Sequence, residues 1–358
     1  MELPGVFNLA ENLENYTVNG WHIKSKIPNK PSTGGNFSVG YIVENEVGIK
    51  GFLKALDYSK AMFSPTAARD LQAMTTAYNF ERQLLEKCNT HRLRYVVRII
   101  DAGHFSLSQS EYPNGIVLAT ELDYLVLEQA DTSARTMIDL SQTFDYAWAL
   151  HSLHNVAVGI NEMHNIQIAH QDIKPSNILI FNSQNTSKLG DVGRSSSLNM
   201  PASHDDCRWV GDFNYSPFEQ LYGENHSDWR TRRFSCDMFM FGNLIMTYFN
   251  NVSITTAVLN KLPANMHPKY WTDSYQAILP PIQKAFAECI EQFNKNIDDE
   301  LRTELMLMIQ QMCNPDMSMR GRLMNSHLGT QQYSLEYYIS RLDYWTKKYE
   351  YKLKQVIR

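Results

Sequence analysis

The chain has 358 residues, 43% of them hydrophobic and 20% charged, which is ample for a sizeable core. Its net charge of −5 gives no overall reason to expect nucleic acid as a ligand, and no apolar run approaches the ~18 residues of a membrane span. Cys88, Cys207, Cys236, Cys289 and Cys313 are odd in number and form no C-x-x-C pair, and the first residues, MELPGVFNLAENLEN, are acidic. The expectation is a soluble cytoplasmic protein with neither a disulfide framework nor a signal peptide.

Residues 21–56 read as strand, loop, strand, turn, strand: WHIKSKIP, a Gly/Ser/Pro stretch, VGYIVEN, a turn at 46–48, then IKGFLKAL. A helix follows around AYNFERQLLEKC, with Phe80, Leu84 and Cys88 four residues apart on one face. YVVRIID and YLVLEQA read as further short strands. After Asp131 the pattern turns helical: DYAWALHSLHNVAVGINEMHN, SCDMFMFGNLIMTYFN, PIQKAFAECIEQFN and LRTELMLMIQQMC. From about Gln331, Leu335, Tyr338, Leu342, Trp345 and Tyr349 recur at helical spacing. That stripe predicts a helix docked on the body, with a partner-binding helix as the alternative. The expected organisation is an extension (1–20), a small β-rich half (21–130) with a hinge at 128–131, a larger helical half (131–328) and a helical tail (329–358). The fold class is α+β.

The strongest chemical signal is HQDIKPSNILI, residues 170–180. It presents an Asp, a Lys two residues on and an Asn five residues on, ahead of a short apolar run. Phosphoryl transfer to a hydroxyl needs a carboxylate to orient the nucleophile, a cation on the phosphate, and a neutral oxygen ligand for a metal ion. Asp172, Lys174 and Asn177 supply those three from one loop. The segment resembles the catalytic loop of protein kinases, H-R-D-x-K-x-x-N, with Gln171 in place of the usual Arg.

The resemblance extends over 21–322, and the remaining roles come from it. Asp191-Val192-Gly193 resembles D-F-G, which implies that Asp191 and Asn177 hold Mg²⁺. The run 33–38 resembles a degenerate glycine clamp with Gly34 and Gly35 over the phosphates, a plain glycine turn being the alternative. Lys54 falls on the strand lysine that holds the α- and β-phosphates, with Lys50 as competitor. Glu81 is its expected partner, with Glu86 as competitor. YLVLEQAD resembles the hinge, so the backbone of Glu128 and Ala130 would meet the adenine edge. Asp131 would reach the ribose or serve as a helix cap. Glu219 and Arg320 would pair in the helical half, and Asp237 would hold the catalytic-loop backbone.

The resemblance therefore implies a bilobal protein-kinase fold, ATP and Mg²⁺ as cofactors, and a protein substrate phosphorylated on Ser/Thr. No nucleic acid or membrane is expected as a partner. A small-molecule kinase of related fold and a pseudokinase scaffold are the alternatives. The family's missing Arg usually packs against a phosphate on the segment after D-F-G. Gln171 cannot neutralise such a charge, which is about −2. Activity without phosphorylation of Ser195, Ser196, Ser197 or Ser203 is the expectation, unless Arg194 or Arg208 takes over that role.

Overall fold

A computed structural model describes residues 6–28, 37–108, 116–140, 144–322 and 332–356. They form two compact units, Met1–Arg92 with Val97–Ala130, and Leu93–Val96 with Asp131–Arg358.

The first unit is built on a six-stranded antiparallel sheet of order β2-β3-β4-β5-β8-β6. Its strands are β2 (Thr17–Val18), β3 (Trp21–Lys26), β4 (Ser38–Asn45), β5 (Lys50–Leu56), β6 (Ile99–Ser106) and β8 (Glu121–Glu128). A separate parallel pair joins β1 (Val6–Asn8) to β7 (Ile116–Ala119). Alternation decides the faces. Val39, Tyr41 and Val43 of β4 and Leu53 and Ala55 of β5 are buried, whereas Lys54 points the other way. The residues ahead of Trp21 are part of this core: Leu9, Ala10, Leu13 and Val18 are buried, and Tyr41 Oη donates to the Ala10 carbonyl at 2.8 Å. A short helix α1 (Ser59–Met62) leads into α2 (Ala67–Thr90), which buries Phe80, Glu81, Leu84, Leu85 and Cys88. The strand expected in YVVRIID starts at Ile99. Val96, ahead of it, belongs to the second unit and makes a parallel bridge to Leu189 there.

The second unit contains β9 (Thr132–Ser133), α3 (Ala134–Leu140), α4 (Tyr146–Asn165), β10 (Ile168–Ala169), β11 (Ile178–Phe181), β12 (Thr186–Leu189) and β13 (Ser196–Ser197). Helices α5 (Phe218–Leu221), α6 (Trp229–Asn250), α7 (Ile254–Leu259), α8 (Tyr275–Glu291), α9 (Asp299–Met312) and α10 (Glu336–Val356) follow. Asp228 caps α6 by accepting from Thr231 N, and every residue from Arg233 to Phe249 is buried. A helix buried all round is the axis of its unit. Helix α8 begins at Tyr275, ahead of the expected start, and carries Pro280 and Pro281 within it. Tyr275, Ile278 and Ile282 bury its first turns. The apolar stripe of the last helix is inward-facing, with Tyr338, Leu342 and Trp345 buried. Among the described residues no helix is long and apolar enough to cross a membrane.

All five thiols are free, and only Cys207 is exposed. Burial raises the Cys88 thiol to about 12 and the Cys289 thiol to about 11, so both sit as inert apolar groups.

Candidate active site

In the first unit, Lys54 leaves β5 on the face opposite Leu53 and meets Glu81 of α2. Its ammonium bonds both carboxylate oxygens at 2.8 Å. Glu86 is engaged elsewhere, accepting from Arg82 Nε at 2.8 Å, and Lys50 is exposed at the strand start. The spacing explains the choice: Glu81 shares its helix face with the buried Leu84, Leu85 and Cys88, whereas Glu86 is exposed. At the end of β8, Glu128 N donates to the Arg98 carbonyl and the Glu128 carboxylate accepts from Arg98 N. Ala130 is the last residue of this unit. Gly34 and Gly35 lie outside the described residues.

In the second unit the catalytic-type loop runs from β10 to β11. Asp172 is buried and its carboxylate is held from three directions. Oδ2 accepts from Asn177 Nδ2 at 2.9 Å and pairs with Lys174 Nζ at 3.0 Å, and Oδ1 accepts from the backbone N–H of Asp212 at 3.0 Å. Burial works against the Lys174 ammonium, but Asp172, Asp212 and Asp191 outweigh it and hold its pKa above the ordinary lysine value. Asn177 gives its amide nitrogen to Asp172 twice, so its Oδ1 is the acceptor left over for a hard cation.

The loop backbone is fastened by Asp237 of α6. Asp237 Oδ2 accepts from His170 N at 2.7 Å and Oδ1 from Gln171 N at 2.8 Å. Burial alone would raise the Asp237 pKa. Hydrogen bonds from His164 and Gln171 overcome that and keep it below the ordinary carboxylate value. These bonds stabilise a left-handed backbone at Gln171, φ 63°, a conformation that costs a non-glycine residue about 1–3 kcal/mol. His170 Nδ1 accepts from Asp172 N and its Nε2 faces the Gly190 carbonyl at 3.0 Å, which together define the neutral Nε2–H tautomer. His170 is thereby a strut between the loop and Gly190.

Gly190 N in turn donates to the Asn177 carbonyl at 2.8 Å, which sets Asp191, at φ 54°, one residue from Asn177's backbone partner. Among the described residues no three His, Cys, Asp or Glu side chains group to hold a metal ion by themselves. The Asp191 carboxylate and the Asn177 amide oxygen would offer a hard cation such as Mg²⁺ a sparse oxygen set, the rest of its ligands being water and phosphate.

Sequence reasoning missed three residues of this site. Asp212 acts through its backbone N–H, which leaves no side-chain signature. Gly211, at φ 79°, lets the chain pass Asp172: a Cβ there would lie 2.4 Å from the Gln171 carbonyl and 2.8 Å from Asp172 Oδ1. Arg233 is buried beside Gln171 and donates to its side-chain oxygen at 3.1 Å. The signal for it was its position, one turn ahead of Asp237 on α6. Further along, Arg320 grips Glu219 through two parallel bonds of 2.7 and 2.8 Å, both residues buried. Burial would lower the Arg320 pKa, but Glu219 more than reverses it.

A sheet-based N-terminal region with one long helix, followed by a helical region carrying an Asp–Lys–Asn loop, defines an α+β phosphotransferase-type chain. Residues 59–330 match the protein kinase domain, more than half of the 358 residues, and the chain belongs to the protein kinase family. Aurora/IPL1-related protein kinase 2 of Caenorhabditis elegans is 30% identical over 155 residues, 42% of this chain and 47% of that protein. Mitogen-activated protein kinase kinase 7 of Arabidopsis thaliana is 31% identical over 150 residues, 41% of this chain and 44% of that protein. Serine/threonine-protein kinase DCLK1 of Rattus norvegicus is 33% identical over 106 residues, 26% of this chain and 24% of that protein. The chain spans less than half the length of each of these three relatives.

Proposed function

We propose that this chain is an active protein kinase that transfers the γ-phosphate of ATP to Ser or Thr hydroxyls of a protein substrate. The observation that carries this reading is Asp172: a buried carboxylate oriented by Asn177, Lys174 and the Asp212 N–H. Asp172 accepts the proton of the acceptor hydroxyl as its oxygen attacks the γ-phosphorus. The bond to the β–γ bridging oxygen breaks, and ADP leaves with that oxygen. Lys174 moves its charge onto the transferring phosphate. Lys54, aligned by Glu81, holds the α- and β-phosphates, and Gly34 and Gly35 cover them. The backbone of Glu128 and Ala130 binds the adenine edge. Asp191 and Asn177 would hold Mg²⁺, which would supply neutralisation of the phosphate charge. Lys174 after the aspartate, together with relatives named as serine/threonine kinases, supports Ser/Thr as acceptor.

The same reading divides the chain as a bilobal kinase, with an N-lobe over 21–130 and a C-lobe over 131–328, flanked by 1–20 and a tail at 329–358. It places the protein in the cytoplasm. Purified protein incubated with radiolabelled ATP and a mixed protein substrate tests it. Label on protein is expected. Label only on a small molecule, or none, would replace this reading with a small-molecule kinase or a scaffold.

A further inference from the structure

The segment after Asp191 is fastened to the catalytic loop through one buried cation. Arg233, 1% exposed, lies on α6 one turn from Asp237. One amine, Nη1, donates to Gln171 Oε1 at 3.1 Å. The other, Nη2, donates to Asp205 twice, at 2.9 Å to its carboxylate and 2.8 Å to its carbonyl. The Gln171 amide nitrogen completes the link, donating to Asp237 Oδ1 and to the Arg233 carbonyl, both at 3.0 Å. Gln171 is therefore saturated, and it directly precedes Asp172.

Asp205 collects the rest of the segment. Its Oδ1 also accepts from Ser196 Oγ at 2.6 Å and its Oδ2 from Ala202 N at 2.8 Å. Ser196 lies in β13, which pairs with β10, the strand that leads into His170. Ser195, Ser196 and Ser197 are buried, so their hydroxyls cannot accept a phosphate while the segment is closed. A phosphate on Ser196 would set a charge of about −2 against the Asp205 carboxylate. Of the two arginines named as substitutes, Arg194 is exposed and Arg208 donates to the Leu221 carbonyl.

We propose that Asp205 and Arg233 are positioning residues for Asp172, and that their ion pair holds the segment in its competent form with no added phosphate. The chemistry is self-consistent. An amide at 171 accepts from one buried guanidinium, whereas an arginine there would bring a second cation against the first. A fixed carboxylate on the segment then supplies the anion. This inference rests on the chain being an active kinase.

The test uses the full chain co-expressed with a phosphatase and shown by mass spectrometry to be unmodified. Wild type should transfer phosphate without a lag, and Ser203→Ala, at an exposed serine, should not change the rate. Asp205→Asn should lower kcat on the order of 10²-fold with the KM for ATP little changed, because it misplaces Asp172 without touching the nucleotide. Adding Arg233→Met to Asp205→Asn should cost much less than the two single losses multiplied. Hydrogen exchange should quicken together at 195–197 and 170–172 in Asp205→Asn while thermal unfolding stays cooperative. Wild-type kcat and exchange in Asp205→Asn would overturn the inference, as would a dephosphorylated wild type that is active only after phosphorylation. If wild type and Asp172→Ala are equally inactive under all conditions, the kinase reading has failed, and the exchange comparison alone still decides whether Asp205 fastens the loop.

Discussion

Asn177 Nδ2 donates to Asp172 Oδ2 at 2.9 Å and to the Asp172 backbone carbonyl at 2.8 Å, so one side chain fixes both the carboxylate and the backbone of Asp172. Asn177→Asp removes both donors and sets two carboxylates side by side. Activity should fall on the order of 10²-fold. Steady-state turnover of Asn177→Asp against wild type checks this, and unchanged activity would show that this contact does not position Asp172.

Lys54→Met should lower kcat about 10²–10³-fold, as removal of a charge-stabilising donor does elsewhere. Lys50→Met should leave most activity, because Lys50 is exposed at the start of β5. Glu81→Gln should behave like a milder Lys54→Met, and Glu86→Gln should not. Steady-state kinetics on the four variants checks this, and a reversed order would move the nucleotide contact to the other lysine.

Gly211→Ala should abolish transfer while the protein still folds. The new Cβ meets the Gln171 carbonyl and Asp172 Oδ1, and the backbone at φ 79° disfavours any side chain. Gly223, at φ 86°, has the Arg208 side chain as its nearest neighbour. Gly223→Ala should therefore cost stability, about 1 kcal/mol, without a matching loss of kcat. Thermal unfolding and turnover measured on both variants separate strain from displacement of the base.

His204 supplies a pH dependence. Its Nε2 contacts the Ser195 carbonyl at 2.9 Å. Burial holds its pKa below the ordinary value of 6.5, against the opposing hydrogen bond to the Ser195 carbonyl and the Asp205 charge, with Arg194 and Arg233 acting in the same direction as burial. The folded state thus binds this proton more weakly than the unfolded chain does. The resulting stability is present above pH 6.5 and is lost as pH falls from there through the folded pKa. Between pH 7.5 and 5.5 the unfolding temperature of wild type should drop further than that of His204→Gln. Equal drops would show that His204 is not the group.

The legible parts of this molecule were those written in one short segment or one period. Alternation in IKGFLKAL separates Lys54 from the buried Leu53 and Ala55, and helical spacing selects Glu81 over Glu86. Asp172, Lys174 and Asn177 sit within six residues, so the loop brings them together with little help from the rest of the fold. What was not legible acts over distance or through the backbone. The Asp212 N–H reaches Asp172 from 40 positions away. In WRTRRF only the α6 register relative to Asp237 tells Arg233 from its neighbours. Helix α8 runs through Pro280 and Pro281, because burial of Tyr275, Ile278 and Ile282 overrides the local preference to start at the prolines.

The most direct measurement compares Asp172→Ala with Asp191→Ala in the same two assays, phosphate transfer and the thermal shift produced by MgATP. In the proposed reaction Asp172 works on the acceptor hydroxyl, so its loss should reduce transfer by about 10²–10⁴-fold or more. The nucleotide-induced shift, which grows as RT ln(1 + [L]/Kd), should remain close to wild type. Asp191→Ala should lose both transfer and shift. Near-wild-type turnover in Asp172→Ala would contradict the account at its centre.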